Sequence, residues 1–122
     1  PGLCLAVMNP HTEINLIDSN IKKTAFLIHA KNELGLASVS VKNARVEDIS
    51  KIPDENIVCR AFKEPINLLS CIADKISPRT KIWVMVSSNQ KEKIPNFKTA
   101  YRTSEISKVI GKKRGFLEIQ MT

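Results

Sequence analysis

The sequence predicts an α/β protein: a mostly parallel sheet with helices on both faces and an antiparallel pair of strands at one edge. Three observations carry this. Strand-like and helix-like segments alternate up to about residue 86, and such alternation builds parallel sheets through crossover helices. The run Ile14-Asn15-Leu16-Ile17-Asp18 reads as a buried strand that ends in an acid at the mouth of a helix. The last two strand segments have no helix between them, so they should pair antiparallel at the sheet edge.

Pro1 to Met8 reads as the later part of a helix with Leu3, Ala6 and Val7 on its apolar face, and Asn9-Pro10 breaks it. After the strand ending at Asp18, Ser19 or Asn20 can cap a helix from Ile21 to Leu34, and Gly35 supplies the stop. On this helix Ile21, Ala25 and Ile28 fall at i, i+4, i+7 and are expected to pack on the sheet, with Lys22, Lys23 and Lys31 exposed. Ser38 to Lys42 alternates polar and apolar residues as a strand does. Ala44 to Asp48 follows as a loop or short helical turn, and Ile57-Val58-Cys59 is a short strand. Pro65 to Ile76 is predicted helical, with proline tolerated in its first turn and Leu68, Leu69 and Ile72 buried. Lys81 to Val86 is a strong strand, Ser87 to Asn96 a polar loop, and Phe97 to Tyr101 and Gly115 to Met121 are the late strands.

A chain of 122 residues is one domain at most. No apolar run approaches the 18 residues of a membrane span. Cys4, Cys59 and Cys71 are odd in number, far apart and without a Cys-x-x-Cys pair, which argues against zinc and against a disulfide framework. Each is expected to be a small buried hydrophobe in a reducing cytoplasm. The net charge of +7 is uneven: residues 1–60 carry seven basic and seven acidic residues, residues 61–122 twelve and five. That asymmetry suggests a polyanion such as nucleic acid, against the plainer reading of a solvated lysine-rich surface.

In open α/β sheets ligands lie beyond the carboxyl ends of the strands. Asp18-Ser19-Asn20, Arg45-Val46-Glu47 and Arg60 occupy three such ends. They offer a carboxylate for a ribose, an apolar wall for a base and a guanidinium for a carboxylate, which suits an adenosine with a charged tail. The plainer readings are that Asp18 is a helix cap, Glu47-Asp48 a loop surface, and Arg60 a partner of Glu47 or Glu64. None of Gly2, Gly35, Gly111 and Gly115 forms a G-x-G pattern, so a Gly-rich cofactor turn, if there is one, is expected to lie before Pro1.

Pro1-Gly2-Leu3 with Leu5-Ala6-Val7, then Leu16-Ile17-Asp18-Ser19, Lys22-Lys23, Phe26-Leu27, Glu33-Leu34-Gly35-Leu36, Arg45-Val46-Glu47-Asp48 and Arg60-Ala61-Phe62 follow one another in a recognisable order. This resembles the ribosomal RNA small subunit methyltransferase G family, also called the glucose-inhibited division protein B family. The resemblance implies a Rossmann-like class I methyltransferase sheet lacking its first strand and Gly-rich loop, with residues 1–122 a single partial domain. It implies S-adenosylmethionine as cofactor and N7 of a guanine in 16S ribosomal RNA, or in the small ribosomal subunit, as target. It assigns Asp18, Ser19 and Asn20 to the cofactor ribose, Val46 and Glu47 to the adenine, and Arg60 to a further cofactor contact, with no general base.

Where the family usually reads Lys-Gly, the strand ending at Val86 continues into Ser87-Ser88-Asn89-Gln90. With the glycine turn missing, the isolated chain is expected to bind S-adenosylmethionine weakly or not at all and to have impaired activity. For RNA phosphates the candidates are Lys91, Lys93, Lys98 and Arg102, and above all Lys112, Lys113 and Arg114. Two alternatives stand beside the enzyme: a non-catalytic basic RNA-binding remnant of the same fold, and another nucleotide-binding α/β protein.

Overall fold

The structure, a computed structural model, describes residues 1–60, 64–87, 93–103, 109 and 114–122. The chain forms two compact units, Pro1–Ser50 and Lys51–Thr122.

The first unit runs α1 (Gly2–Met8), β1 (Ile14–Asp18), α2 (Ile21–Glu33), β2 (Val39–Asn43) and a 3-10 turn, Val46–Asp48. β1 and β2 pair in parallel, Ile14 opposite Val39 and Asp18 opposite Asn43. Parallel neighbours need a crossover, and α2 provides it. Asn20 caps α2: its Oδ1 accepts from Lys22 N at 2.9 Å and Lys23 N at 3.1 Å. Gly35 ends the turn after α2 at φ +62°, a left-handed conformation that glycine adopts without steric cost. There Leu36 N donates to Lys31 O at 3.0 Å, closing the helix end. Ala6, Leu16 and Val39 are buried, with Leu3, Ile14, Leu27, Leu36 and Val41 packed against them.

Three expectations fail here. Ile21, Ala25 and Ile28 face outward; Thr24 and Leu27 turn inward, Thr24 fully buried. The helix is apolar around most of its circumference (Ile21, Ala25, Phe26, Leu27, Ile28), so spacing alone does not select a face. Thr24 is buried at little polar cost because its hydroxyl donates to backbone oxygens, Ile21 O at 3.0 Å and Asn20 O at 3.3 Å. Val7 is half exposed, and Cys4 is exposed rather than buried, because α1 turns chiefly Ala6 and Leu3 inward.

The second unit runs β3 (Asn56–Arg60), α3 (Pro65–Ile72), β4 (Lys81–Val86), β5 (Phe97–Thr103) and β6 (Gly115–Met121). Its four strands lie in the order β3-β4-β6-β5. β3 and β4 are parallel; β6 runs antiparallel to both β4 and β5. The antiparallel edge is therefore present, with β6 inserted between β4 and β5. Gly115 fits this crossing because a Cβ there would run into the Arg102 carbonyl. Ile82 and Ile119 are fully buried directly opposite one another on β4 and β6. Leu68, Leu69 and Ile72 are buried on α3 as expected. α3 stops at Ile72 rather than Ile76. Beyond it Lys75 N bonds back to Ile72 O, and Lys75 O accepts from Ile52 N at 2.9 Å, which ties the turn to the chain before β3.

Candidate functional site

The site is built where two parallel strands end together. Asp18 is the last residue of β1 and Asn43, opposite it, the last of β2. Asn43 Nδ2 donates to Asp18 O at 3.2 Å, and Ala44 N donates to the same oxygen at 3.1 Å. The turn from β1 into α2 is then fixed by side chains. Asn20 N donates to Asp18 Oδ1 at 2.8 Å, while Asn20 Oδ1 takes the two N–H groups of the first helical turn. Aspartate and asparagine favour such turns because their short side chains reach backbone groups two residues away. Capping belongs to Asn20, so Asp18 is not the helix cap. Its Oδ2 has no protein partner among the described residues. Ser19 lies exposed at the apex of the turn.

Val46 and Glu47 follow β2 in the 3-10 turn, whose closing bonds run from Asp48 N to Arg45 O and from Ile49 N to Val46 O. Val46 is partly buried and Glu47 exposed. Both segments leave the carboxyl ends of a paired β1 and β2, so Asp18-Ser19-Asn20 and Val46-Glu47 share one end of the first unit. Arg60 is the exposed last residue of β3, in the second unit.

An open depression of about 420 Å³ borders Asp18 and Asn20 and is lined further by Lys22, Lys23, Phe26 and Leu27. The sequence marked Lys22 and Lys23 as exposed, but periodicity gave no reason to single out Phe26. Asn43 was missed as well, although a polar residue ending the strand beside an acid-tipped strand is a readable signal. Among the described residues no three His, Cys, Asp or Glu gather as a metal site would require.

Of the basic residues expected to meet RNA, Lys91, Lys112 and Lys113 lie outside the described residues. Arg114 is exposed, and its carbonyl accepts from Thr103 Oγ1 at 3.2 Å. Lys93 and Lys98 are exposed, whereas Arg102 is engaged, its Nε 2.6 Å from Glu118 Oε2. Ala61 and Phe62 also lie outside the described residues. No described helix is long and apolar enough to cross a membrane.

The model of the rRNA small subunit methyltransferase G family matches residues 1–116. The chain belongs to this family. Curated relatives named ribosomal RNA small subunit methyltransferase G agree. The Hydrogenovibrio crunogenus protein is 36% identical over 103 residues, covering 80% of this chain and 47% of its own length. The Neisseria gonorrhoeae protein is 44% identical over 73 residues, covering 60% and 35%. The chain thus spans about half or less of the length of these relatives. Among solved structures, a mutant of MtNAS in complex with S-adenosylmethionine superposes with a TM-score of 0.74 at 13% identity, covering 98% of this chain and 49% of the other. An rRNA methylase from Streptococcus thermophilus gives 0.58 at 10% identity, covering 88% and 72%. At such identities the likeness is one of fold, and it is the Rossmann-like methyltransferase fold.

Proposed function

We propose that residues 1–122 form a single partial domain of an S-adenosylmethionine-dependent methyltransferase that modifies guanine N7 in 16S rRNA or the small ribosomal subunit. The observation that carries this reading is Asp18, a strand-end carboxylate with one oxygen fixed by Asn20 N and the other without a protein partner among the described residues. Such a carboxylate suits the two donors of a ribose diol. Family membership and the SAM-bound MtNAS neighbour support the same donor.

S-adenosylmethionine, when bound, supplies a methyl group already activated on a sulfonium. Asp18, with Ser19 and Asn20, would hold the ribose end. Val46 presents apolar surface for the adenine and Glu47 an acceptor for its amino group. Guanine N7 carries an exposed lone pair and no proton, so no residue need remove one before attack. The protein's task is orientation, and holding donor and acceptor in near-attack geometry can remove a large part of the barrier. Exposed Arg114, with Lys112 and Lys113 beside it in sequence, would contact RNA phosphates and give affinity without base readout.

The test is transfer of a labelled methyl group from S-adenosylmethionine to small-subunit rRNA, with the product nucleosides separated after digestion. The proposal expects label in 7-methylguanosine, and its loss in Asp18→Asn. Label in any other nucleoside overturns the N7 assignment. Donor and RNA both bound with no transfer overturns the enzyme in favour of the basic RNA-binding module.

A further inference from the structure

We infer that the depression beside Asp18, lined by Lys22, Lys23 and Phe26, is an RNA site: Phe26 stacks on an unpaired base while Lys22 and Lys23 neutralise flanking phosphates. The inference rests on the rRNA reading above and extends it to residues that reading does not use.

Phe26 is 62% exposed on α2, one turn beyond the two lysines. Phe26 shares its exposure with Ile21 and Ile28 on α2, but it is the aromatic one, and beside it stand two cations with no ion-pair partner among the described residues. Helix geometry sets Phe26 at i+4 from Lys22 and i+3 from Lys23, so the three share one side of the helix. An aromatic face flanked by free cations is how single-stranded nucleic acid is held, base on ring and phosphate on ammonium.

Two observations separate this site from its neighbours. The helix N-terminus is not the anion receptor, because Asn20 Oδ1 already takes the N–H groups of Lys22 and Lys23. The positive charge comes from side chains. The two ammonium groups favour an anionic occupant, and a phosphodiester is attracted by them. The depression adjoins Asp18, so an RNA lying in it ends beside the residue proposed to hold the donor.

The test titrates the whole chain into a fluorescent ten-nucleotide single-stranded RNA, and into the same strand with one abasic position, across a salt series. Donor binding is followed in parallel by NMR. Phe26→Leu keeps an apolar side chain but removes the ring. It is expected to weaken binding of the intact strand by roughly 5- to 100-fold and to narrow its advantage over the abasic strand. Lys22→Gln with Lys23→Gln is expected to lower the salt slope by about 1.4, two phosphate contacts' worth for a single strand. Both variants should leave donor-induced shifts at Asn20 and Ala44 in place. Unchanged RNA affinity and salt slope in both variants overturn the site while leaving the methyltransferase reading standing. Loss of the donor shifts in Phe26→Leu also overturns it, since the depression would then belong to the donor. Absence of RNA binding by the unaltered chain overturns the site, while the methyltransferase reading is decided by the transfer of label.

Discussion

The two units of the chain solve different problems. Residues 1–50 carry five basic and five acidic residues; residues 51–122 carry fourteen and seven. In the first unit the polar groups at the strand ends are tied by short side chains, Asp18, Asn20 and Asn43, to nearby backbone. In the second, side chains pair diagonally across strands: Glu118 with Arg102 and Lys81, and Trp83 Nε1 with Asn56 Oδ1 at 3.2 Å. Those cross-strand pairs hold strand against strand. The side-chain-to-backbone bonds of the first unit instead hold a carboxylate in place at a surface. The contrast teaches that the second unit is organised around strand packing and the first around a strand end.

Core truncations give the sharpest test of that contrast. Ile82→Ala, at a site with no exposed surface between β3 and β6, is expected to cost about 4 kcal/mol. Leu16→Ala, in the small core of the first unit, should cost about 2–3 kcal/mol. Chemical denaturation measures both, and a larger loss for Leu16→Ala would reverse the assignment of which unit is held by its core. Next comes the cap. Asn20→Ala removes the acceptor for two helix N–H groups and should cost about 1 kcal/mol. It should also speed amide exchange at Lys22 and Lys23, while amides of β4 stay protected.

The last effect is electrostatic and is confined to alkaline pH. Burial pushes the Cys59 thiol up to about 11 from its usual 9.0. The folded state therefore keeps a proton that the unfolded chain loses. The resulting stabilisation is complete below pH 9 and disappears as pH rises through 11. The denaturation midpoint of the wild type should fall across that window more steeply than that of Cys59→Ala. Cys4 is exposed and should react with a thiol reagent at pH 8, while Cys59 does not.

Much of this was legible in the residues. β1, β4 and β6 have the bounds that apolar runs and turn residues suggested, because Asp18, Pro78 and Gly115 are strong local punctuation. Gly35 was readable as a helix stop for the same reason. The inward face of α2 was not, since a helix apolar on most sides is oriented by what it packs on, and burying Thr24 depends on hydroxyl bonds that spacing does not reveal. That Asp18-Ser19-Asn20 and Val46-Glu47 leave the carboxyl ends of their strands was readable from the sequence. The tie from Asn43 was not, because it depends on the register of β1 against β2. The exposure of Phe26 was not legible either, since no pattern of apolar spacing announces it.

The central claim is that the Asp18 carboxylate receives the sugar of the methyl donor. It is tested most directly by adding millimolar S-adenosylmethionine to the isotope-labelled chain and following backbone amides, a measurement that reads weak binding. The account predicts shifts concentrated at Asn20, Ala44 and Glu47, and at least ten-fold weaker binding in Asp18→Asn with the fold intact. Shifts confined to other segments, or an equal titration of Asp18→Asn, would contradict it.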